Sequence, residues 1–597
     1  MRTEAKAFLS AAALLCASAA HSQDRLRSKV DIRFDRFHPA GEIDAALQAL
    51  AAAHPGLCRV ERIGTSALGR PMLALVVNNP ATGAEGSKPG MYVDGGIHAN
   101  EIQAPEAVLY TAWHLLSAYG SVPRITDIVD RTTFYLLPMV NPDGRVEWFE
   151  QPNTPNSART GQAPTDNDGD GQHDEDPPND LDGDGHITQM WRRDPLGSHR
   201  RDPRDPNRMV EVPTAPKADG TREYGDWSQE GQEGVDDDGD GDVNEDGPGG
   251  YDMNRNFPSG WEPENVQGGA GRYPLCWPET RAVADWMVGK PHLAAAQAYH
   301  NAGGMILRGP GAAHRDDAYP GQDVAVYERI QAVGATMLPD YRPMVIHRDL
   351  YTVHGGLVNW FGEGLGIVSF TNEMWTDKRI MQDGAAPSED ERRTWDELVL
   401  LGRGRTPLRE VAHPQFGTVL VGGGSKFSAR IPPSFMLEEE LHRNFAFTMF
   451  HADQLPLLRL EAATSREIAP GLWQVTVSVA NDRVIPTRMA HAAAKGIGLD
   501  DEARLEGARV VASGIASRQS DPVLRPVPFL PATVRFPEGV PGEGSATARF
   551  LVEGSAGTTL TFRWRAEKAK DLEAAITLGA PDGGTAAPAQ PPAADRR

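Results

Sequence analysis

Apolar positions along the chain follow two periods in succession. Glu42 to Ala53, Pro105 to Ala118 and the stretch opening at Pro278 place apolar residues three or four apart, as amphipathic helices do. Between them, Met72 to Val77, Met91 to Val93, Thr132 to Val140, Ala294 to Ala298 and Gly366 to Glu373 are short and mostly apolar, the mark of buried strands. A last long helix is expected from Phe435 through Ala452. This alternation predicts an α/β domain over residues 24–454, a twisted sheet with helices on both faces. After Leu455 the period becomes two, in Trp473 to Ala480, Ala532 to Phe536, Ala546 to Val552 and Thr558 to Trp564. That pattern predicts an all-β, sandwich-like domain over 455–578, followed by an Ala-, Pro- and Gly-rich disordered tail over 579–597.

Chemistry gathers at the predicted strand ends. Gly95-Gly96 closes one strand and His98-Ala-Asn-Glu101 follows it, giving an imidazole and a carboxylate that can chelate one divalent metal. His300 ends a second strand, and Glu373 ends a third directly after an apolar run. A carboxylate there is costly to desolvate unless it meets a cation or takes up a proton. Taken singly, each of these has a bland reading as a solvated turn or a satisfied strand-end residue. Their common placement makes the metal reading stronger.

Several motifs in order resemble the zinc metallocarboxypeptidases, the family of carboxypeptidases A, B and T. Gly64-Thr-Ser-Ala-Leu-Gly-Arg70 resembles its opening turn, Asn141-Pro-Asp-Gly144 its N-P-D-G turn, and Asp252-Met-Asn-Arg-Asn256 its D-x-N-R-N motif. The resemblance implies a mixed sheet, His98, Glu101 and His300 as ligands of Zn²⁺, and Glu373 as general base toward an activated water. It further implies that Asn254 and Arg255 grip a terminal carboxylate, that Tyr351 closes over the bound residue, and that Val358 sits at the specificity pocket. The apolar Val358 favours apolar or aromatic C-terminal residues. Trp191-Arg192-Arg193 resembles a W-R-K segment, which makes Arg192 the expected oxyanion partner, with Arg193 its rival. The implied activity is hydrolysis of the C-terminal peptide bond of peptides with a free carboxylate. Two alternatives remain open: a zinc amidase acting on cell-wall peptides, and a retired scaffold serving as a calcium-dependent surface-binding protein.

An insertion over about 151–250 is rich in Asp, Gly and Pro. It holds three alternating-carboxylate runs, with Asp166, Asp168 and Asp170, then Asp180, Asp182 and Asp184, then Asp236, Asp238 and Asp240, each with Gly at the sixth position. Such a loop can wrap oxygen ligands around Ca²⁺, here without the twelfth-position Glu of an EF-hand, and is expected to order the insertion.

The net charge of -23 lies largely in that insertion and argues against a nucleic-acid partner. Residues 1–22, with Arg2 and Lys6 ahead of an Ala- and Leu-rich run, read as a secretory signal peptide, so the mature chain is expected to be periplasmic or extracellular, with no membrane span. Leu14-Leu15 before Cys16 disfavours lipid attachment, and the short stretch after Gln23 leaves no room for a folded propeptide. Cys58 and Cys276 then remain, and an oxidising compartment permits a disulfide between them without requiring one.

Overall fold

The strand Gly90–Gly95 is buried at every position because it lies near the middle of an eight-stranded sheet. In the computed structural model, which describes residue 26 and residues 28–580 apart from 167–170, 214, 242, 245, 246, 248, 382 and 517–523, the strands run in the order Cys58–Thr65, Pro71–Val77, Thr133–Leu137, Gly90–Gly95, Leu293–Asn301, Val368–Met374, Met305–Arg308, Arg342–Val345. The four central strands, from Thr133–Leu137 to Val368–Met374, are parallel, and antiparallel pairings lie toward both edges. The sheet is therefore mixed, as expected. The predicted signal peptide, Asp168, Asp170 and nearly all of the predicted tail lie outside the described residues.

Alternation along the strands feeds two cores. Met91 and Val93 face a large cluster shared with the helices Ala40–Ala53, Gln103–Ala118 and Ser434–Asp453, while Tyr92 faces the other side with Val283, Met287 and Phe361. A strand buried on both faces has no polar side to display, which is why these segments read as continuous apolar runs.

The insertion is more ordered than loops alone. Gln189–Arg193, His199–Asp202, Asp205–Glu211 and Trp227–Gln232 join Arg405–His413 and Gly417–Gly424 in a second, antiparallel six-stranded sheet.

The C-terminal region forms two facing sheets. One contains Leu458–Ala469, Leu472–Asn481, Ser545–Glu553, Arg509–Ala516 and Leu524–Pro526; the other contains Thr533–Phe536, Asp501–Glu506, Thr559–Arg565 and Leu572–Thr577. Val475, Val477, Phe550, Phe562 and Trp564 fill the space between them, giving the expected sandwich. It is joined to the first domain through its core: Ile485, Met489 and Ala492 belong to the large cluster of the α/β domain. Lys568 Nζ also donates to the carbonyls of Leu365 (3.1 Å) and Gly366 (2.7 Å), at the C-terminal end of the helix Leu357–Leu365.

Candidate metal centre

The turn after Gly90–Gly95 needs glycine. Gly96 has φ +63°, and a Cβ on Gly95 would lie 2.6 Å from the Ala104 carbonyl oxygen. This close approach folds His98 and Glu101 back over the sheet, just before the helix Gln103–Ala118. His300 and Glu373 are register partners on adjacent parallel strands, so their side chains share a face. His98 Nδ1 lies 2.9 Å from Glu101 Oε1, His300 Nδ1 lies 2.9 Å from Glu101 Oε2, and the two Nδ1 atoms are 3.2 Å apart. All three residues are buried.

This donor set fits zinc. Tetrahedral ligands at about 2.0–2.1 Å from one ion lie about 3.3 Å from each other, close to the spacings found here. Two ring nitrogens facing each other across 3.2 Å, with a carboxylate between them, suit a cation at their common focus. The other nitrogen of His98 is fixed from behind: Nε2 lies 3.1 Å from Asp252 Oδ1, a carboxylate–histidine arrangement that sets tautomer and ring orientation. Burial opposes ionisation of Asp252, but His98, Arg255 and Arg159 hold its carboxyl well below the usual range. Glu373 goes the other way, since burial and then the Glu101 carboxylate push its carboxyl above the ordinary glutamate value. A carboxylate with raised proton affinity beside a metal focus is suited to proton transfer.

A cavity of about 580 Å³ opens over these groups. Asn254, Arg255, Tyr351 and Val358 all line it. Arg255 is held by its own backbone neighbour, Nη1 donating to Asn254 O at 2.9 Å, while Asn254 Oδ1 accepts from Leu357 N at 2.8 Å. Tyr351 is half exposed at the rim. Val358 packs with Met305, Leu307, Ile346 and Val353 into an apolar wall.

The oxyanion expectation is corrected. Arg192 lies on a strand of the second sheet, pairs through Nε with Glu230 at 2.9 Å and does not line the cleft; Arg193 is exposed and stacks over Trp227. Their strand is occupied by pairing with Val419–Gly422, which fixes it in the second sheet. The arginine that reaches the metal ligands is Arg159, whose Nη1 donates to Glu101 Oε1 at 3.1 Å and whose Nη2 lies 3.0 Å from His98 Nε2 and 3.3 Å from Asp252 Oδ2. Ala99 N donates to the Arg159 carbonyl at 3.3 Å, tying this irregular segment to the ligand turn. Arg430 comes from a second direction, donating to the Asn301 carbonyl and lying 3.5 Å from Glu101. Neither arginine stands in a motif. Asp252 does, at the head of D-x-N-R-N, where its place beside Asn254 and Arg255 was the available signal.

Among the acidic runs, Asp180 and Asp182 converge with Glu233, and Asp236, Asp238 and Asp240 form a second group; Asp184 is not part of the first. Glu233, absent from the sequence expectation, is buried between the backbone amides of Leu181 and Thr188. Cys58 and Cys276 are both free thiols, and burial pushes that of Cys58 up to about 12.

Fold and site together define a zinc-carboxypeptidase-type α/β protein, and the chain belongs to the zinc carboxypeptidase family, whose sequence profile matches residues 43–399. A second profile, Domain of unknown function (DUF8731), matches residues 457–577. Similar proteins include carboxypeptidase A2 of Rattus norvegicus, 37% identical over 116 residues (19% of this chain, 27% of that protein), and carboxypeptidase B of Astacus astacus, 39% identical over 113 residues (19% and 35%). The chain thus spans about a third or less of the length of these relatives. A protein named inactive metallocarboxypeptidase ecm14, from Sclerotinia sclerotiorum, is 32% identical over 123 residues (20% and 21%). Among solved structures, the carboxypeptidase A from Helicoverpa armigera aligns with 75% of this chain and 80% of its own at 19% identity, with a TM-score of 0.41.

Proposed function

We propose that this protein is a zinc-dependent carboxypeptidase that removes apolar C-terminal residues from peptides with a free carboxylate, and that it acts after export directed by residues 1–22. The observation that carries the reading is the meeting, in one cleft, of the His98–Glu101–His300 set, Glu373, Arg159 and the Asn254–Arg255 pair. Bound at the three ligands, zinc would acidify a water and polarise the scissile carbonyl. Glu373 takes the proton of the attacking water and returns it to the leaving amine, a double role that its raised proton affinity serves. Arg159, kept fully charged by Asp252 and Glu101 despite burial, faces the carbonyl oxygen as negative charge develops on it. Arg255 and Asn254 hold the substrate carboxylate, Tyr351 covers it from the rim, and the wall around Val358 receives the side chain.

The test is release of C-terminal residues from a mixed peptide library by the purified chain, beside a Glu373→Gln variant and a zinc-stripped sample. Release lost in both controls supports the reading. No release from any free-carboxylate peptide, with zinc demonstrably bound, refutes it and turns the reading toward the retired scaffold, which relatives named inactive keep in view.

Calcium in the insertion belongs to the same reading. Its support is the convergence of Asp180, Asp182 and Glu233 and of Asp236, Asp238 and Asp240. Titrating calcium into the zinc-loaded chain should raise its melting temperature, and an unchanged melt at millimolar calcium would refute a structural calcium.

A further inference from the structure

The two most exposed large apolar side chains among the described residues are neighbours: Phe529 is 80% exposed and Leu530 78%. They stand on the crossover from the strand Leu524–Pro526, at the edge of one sheet of the sandwich, to Thr533–Phe536, at the edge of the other. Sequence makes this tip rigid. Pro526, Pro528 and Pro531 fix φ on both sides of the pair and remove three N–H donors, so the tip offers little for another strand to pair with. Leu530 has φ +51°, a left-handed conformation costly for any residue with a Cβ. A backbone held in that state, with its apolar side chains in water, is the kind of outlier that marks a functional surface.

Charge selects the partner. The tip borders a recess of about 350 Å³ whose lining includes Ile515, Val527, Arg525 and Arg535, and no carboxylate lines it. Neither arginine forms an ion pair among the described residues: Glu502, the register partner of Arg535, and Glu538, three residues beyond it, pair with neither. The surrounding domain is close to neutral, since residues 457–577 hold 15 Lys and Arg against 14 Asp and Glu, so the acidity of the chain lies elsewhere and does not repel an anion here. Two protruding apolar side chains flanked by unpaired guanidiniums match the boundary of an anionic bilayer. The fluid acyl region takes up convex side chains without a shaped pocket, and the arginines meet phosphates.

We propose that the sandwich docks the protein on anionic phospholipid membranes, with Phe529 and Leu530 entering the acyl boundary and Arg525 and Arg535 on the headgroup phosphates. The contact is peripheral and holds the metal-bearing domain at the lipid surface. It goes beyond the carboxypeptidase reading and does not depend on it.

The test is co-sedimentation of the full chain with vesicles of phosphatidylcholine, alone or mixed with phosphatidylglycerol. The parent should bind the mixed vesicles more tightly, and added salt should reduce that preference. Burying one large apolar side chain is worth about tenfold or more in partitioning, and one arginine at an anionic surface about fivefold. Phe529→Ser and Leu530→Ser should therefore each lower binding to the mixed vesicles about tenfold or more, and Arg525→Gln combined with Arg535→Gln should remove the preference for phosphatidylglycerol. All four positions are exposed, so the variants should melt with the parent. The control Leu398→Ser, 72% exposed in the α/β domain, should bind as the parent does. A parent that ignores the mixed vesicles at low salt overturns the proposal. Binding that both serine variants retain overturns it as well, since charge alone would then hold the chain. A parent that ignores vesicles but forms a dimer that Phe529→Ser dissociates makes the tip a protein contact, and the membrane proposal falls.

Discussion

Replacing Asp252 by Asn isolates the contribution of a charge that touches no substrate. The carboxamide keeps an oxygen to accept from His98 Nε2 (3.1 Å) and from Asn254 N (2.8 Å), so the shape of the site survives. The negative charge is lost, and an amide NH₂ turns toward Arg159 (3.3 Å) and Arg255 (3.8 Å) where Oδ2 had been. A charge-assisted hydrogen bond exceeds a neutral one by about 1–1.5 kcal/mol, which is about tenfold in an equilibrium constant. The unfavourable contact with two guanidiniums moves the expected loss of zinc affinity toward the upper part of the roughly 10- to 100-fold range for outer-sphere partners of metal-bound histidine. Competition with a chromophoric zinc chelator measures that affinity directly. The same loss must narrow the gap in melting temperature between zinc-loaded and zinc-free protein at a fixed free zinc concentration, because ligand binding stabilises with the logarithm of one plus free ligand over Kd. An affinity within twofold of the parent, in a variant whose zinc-free form melts normally, would refute the role assigned to Asp252.

Glu373→Gln should bind zinc normally and lose about 10²- to 10⁴-fold in kcat; a variant that keeps the parent's kcat contradicts the base assignment. Arg159→Gln should cost about 10²- to 10³-fold in kcat, whereas Arg192→Gln should stay within about threefold of the parent, and the reverse order would restore the original expectation. In the C-terminal domain, burial pushes the Asp501 carboxyl up to about 7 although Thr487 and Trp564 donate to it. Its folded value exceeds its unfolded one, so its favourable contribution is complete below about pH 4 and is lost as pH rises through about 7. Asp501→Asn should therefore melt higher than the parent at pH 8, with the gain vanishing near pH 4, and a pH-independent difference would exclude this titration.

What could be read from the chain was chemistry anchored at the ends of regular elements. His98 and Glu101 share one turn forced by Gly95-Gly96, and His300 and Glu373 end apolar runs, so strand periodicity located all four without knowledge of the pairing. Arg159 lies in an irregular stretch with no period, and it meets the ligand turn through long-range contacts such as Ala99 N donating to its carbonyl and its guanidinium on Glu101. The Trp191-Arg192-Arg193 segment attracted the assignment through local likeness, while the pairing that commits it elsewhere, to Val419–Gly422, joins segments more than two hundred residues apart. Glu233 was missed for a similar reason: nothing near it in sequence shows that it folds against Leu181 and Thr188. Long-range register carries this information, and one sequence read alone does not contain it.

Lys568 places an ammonium from the sandwich on the last carbonyls of the helix Leu357–Leu365, the helix that carries Val358 and leads directly into the strand of Glu373. Burial holds that ammonium down to about 8, so mild alkalinity removes its charge and loosens the grip. Ile485, Met489 and Ala492 meanwhile complete the α/β core from the far side of the boundary. A chain shortened before this region would therefore present a sticky, water-facing wound in place of a finished surface, and the intact protein should melt in a single calorimetric step, with the apolar wall around Val358 and the β-sandwich lost together.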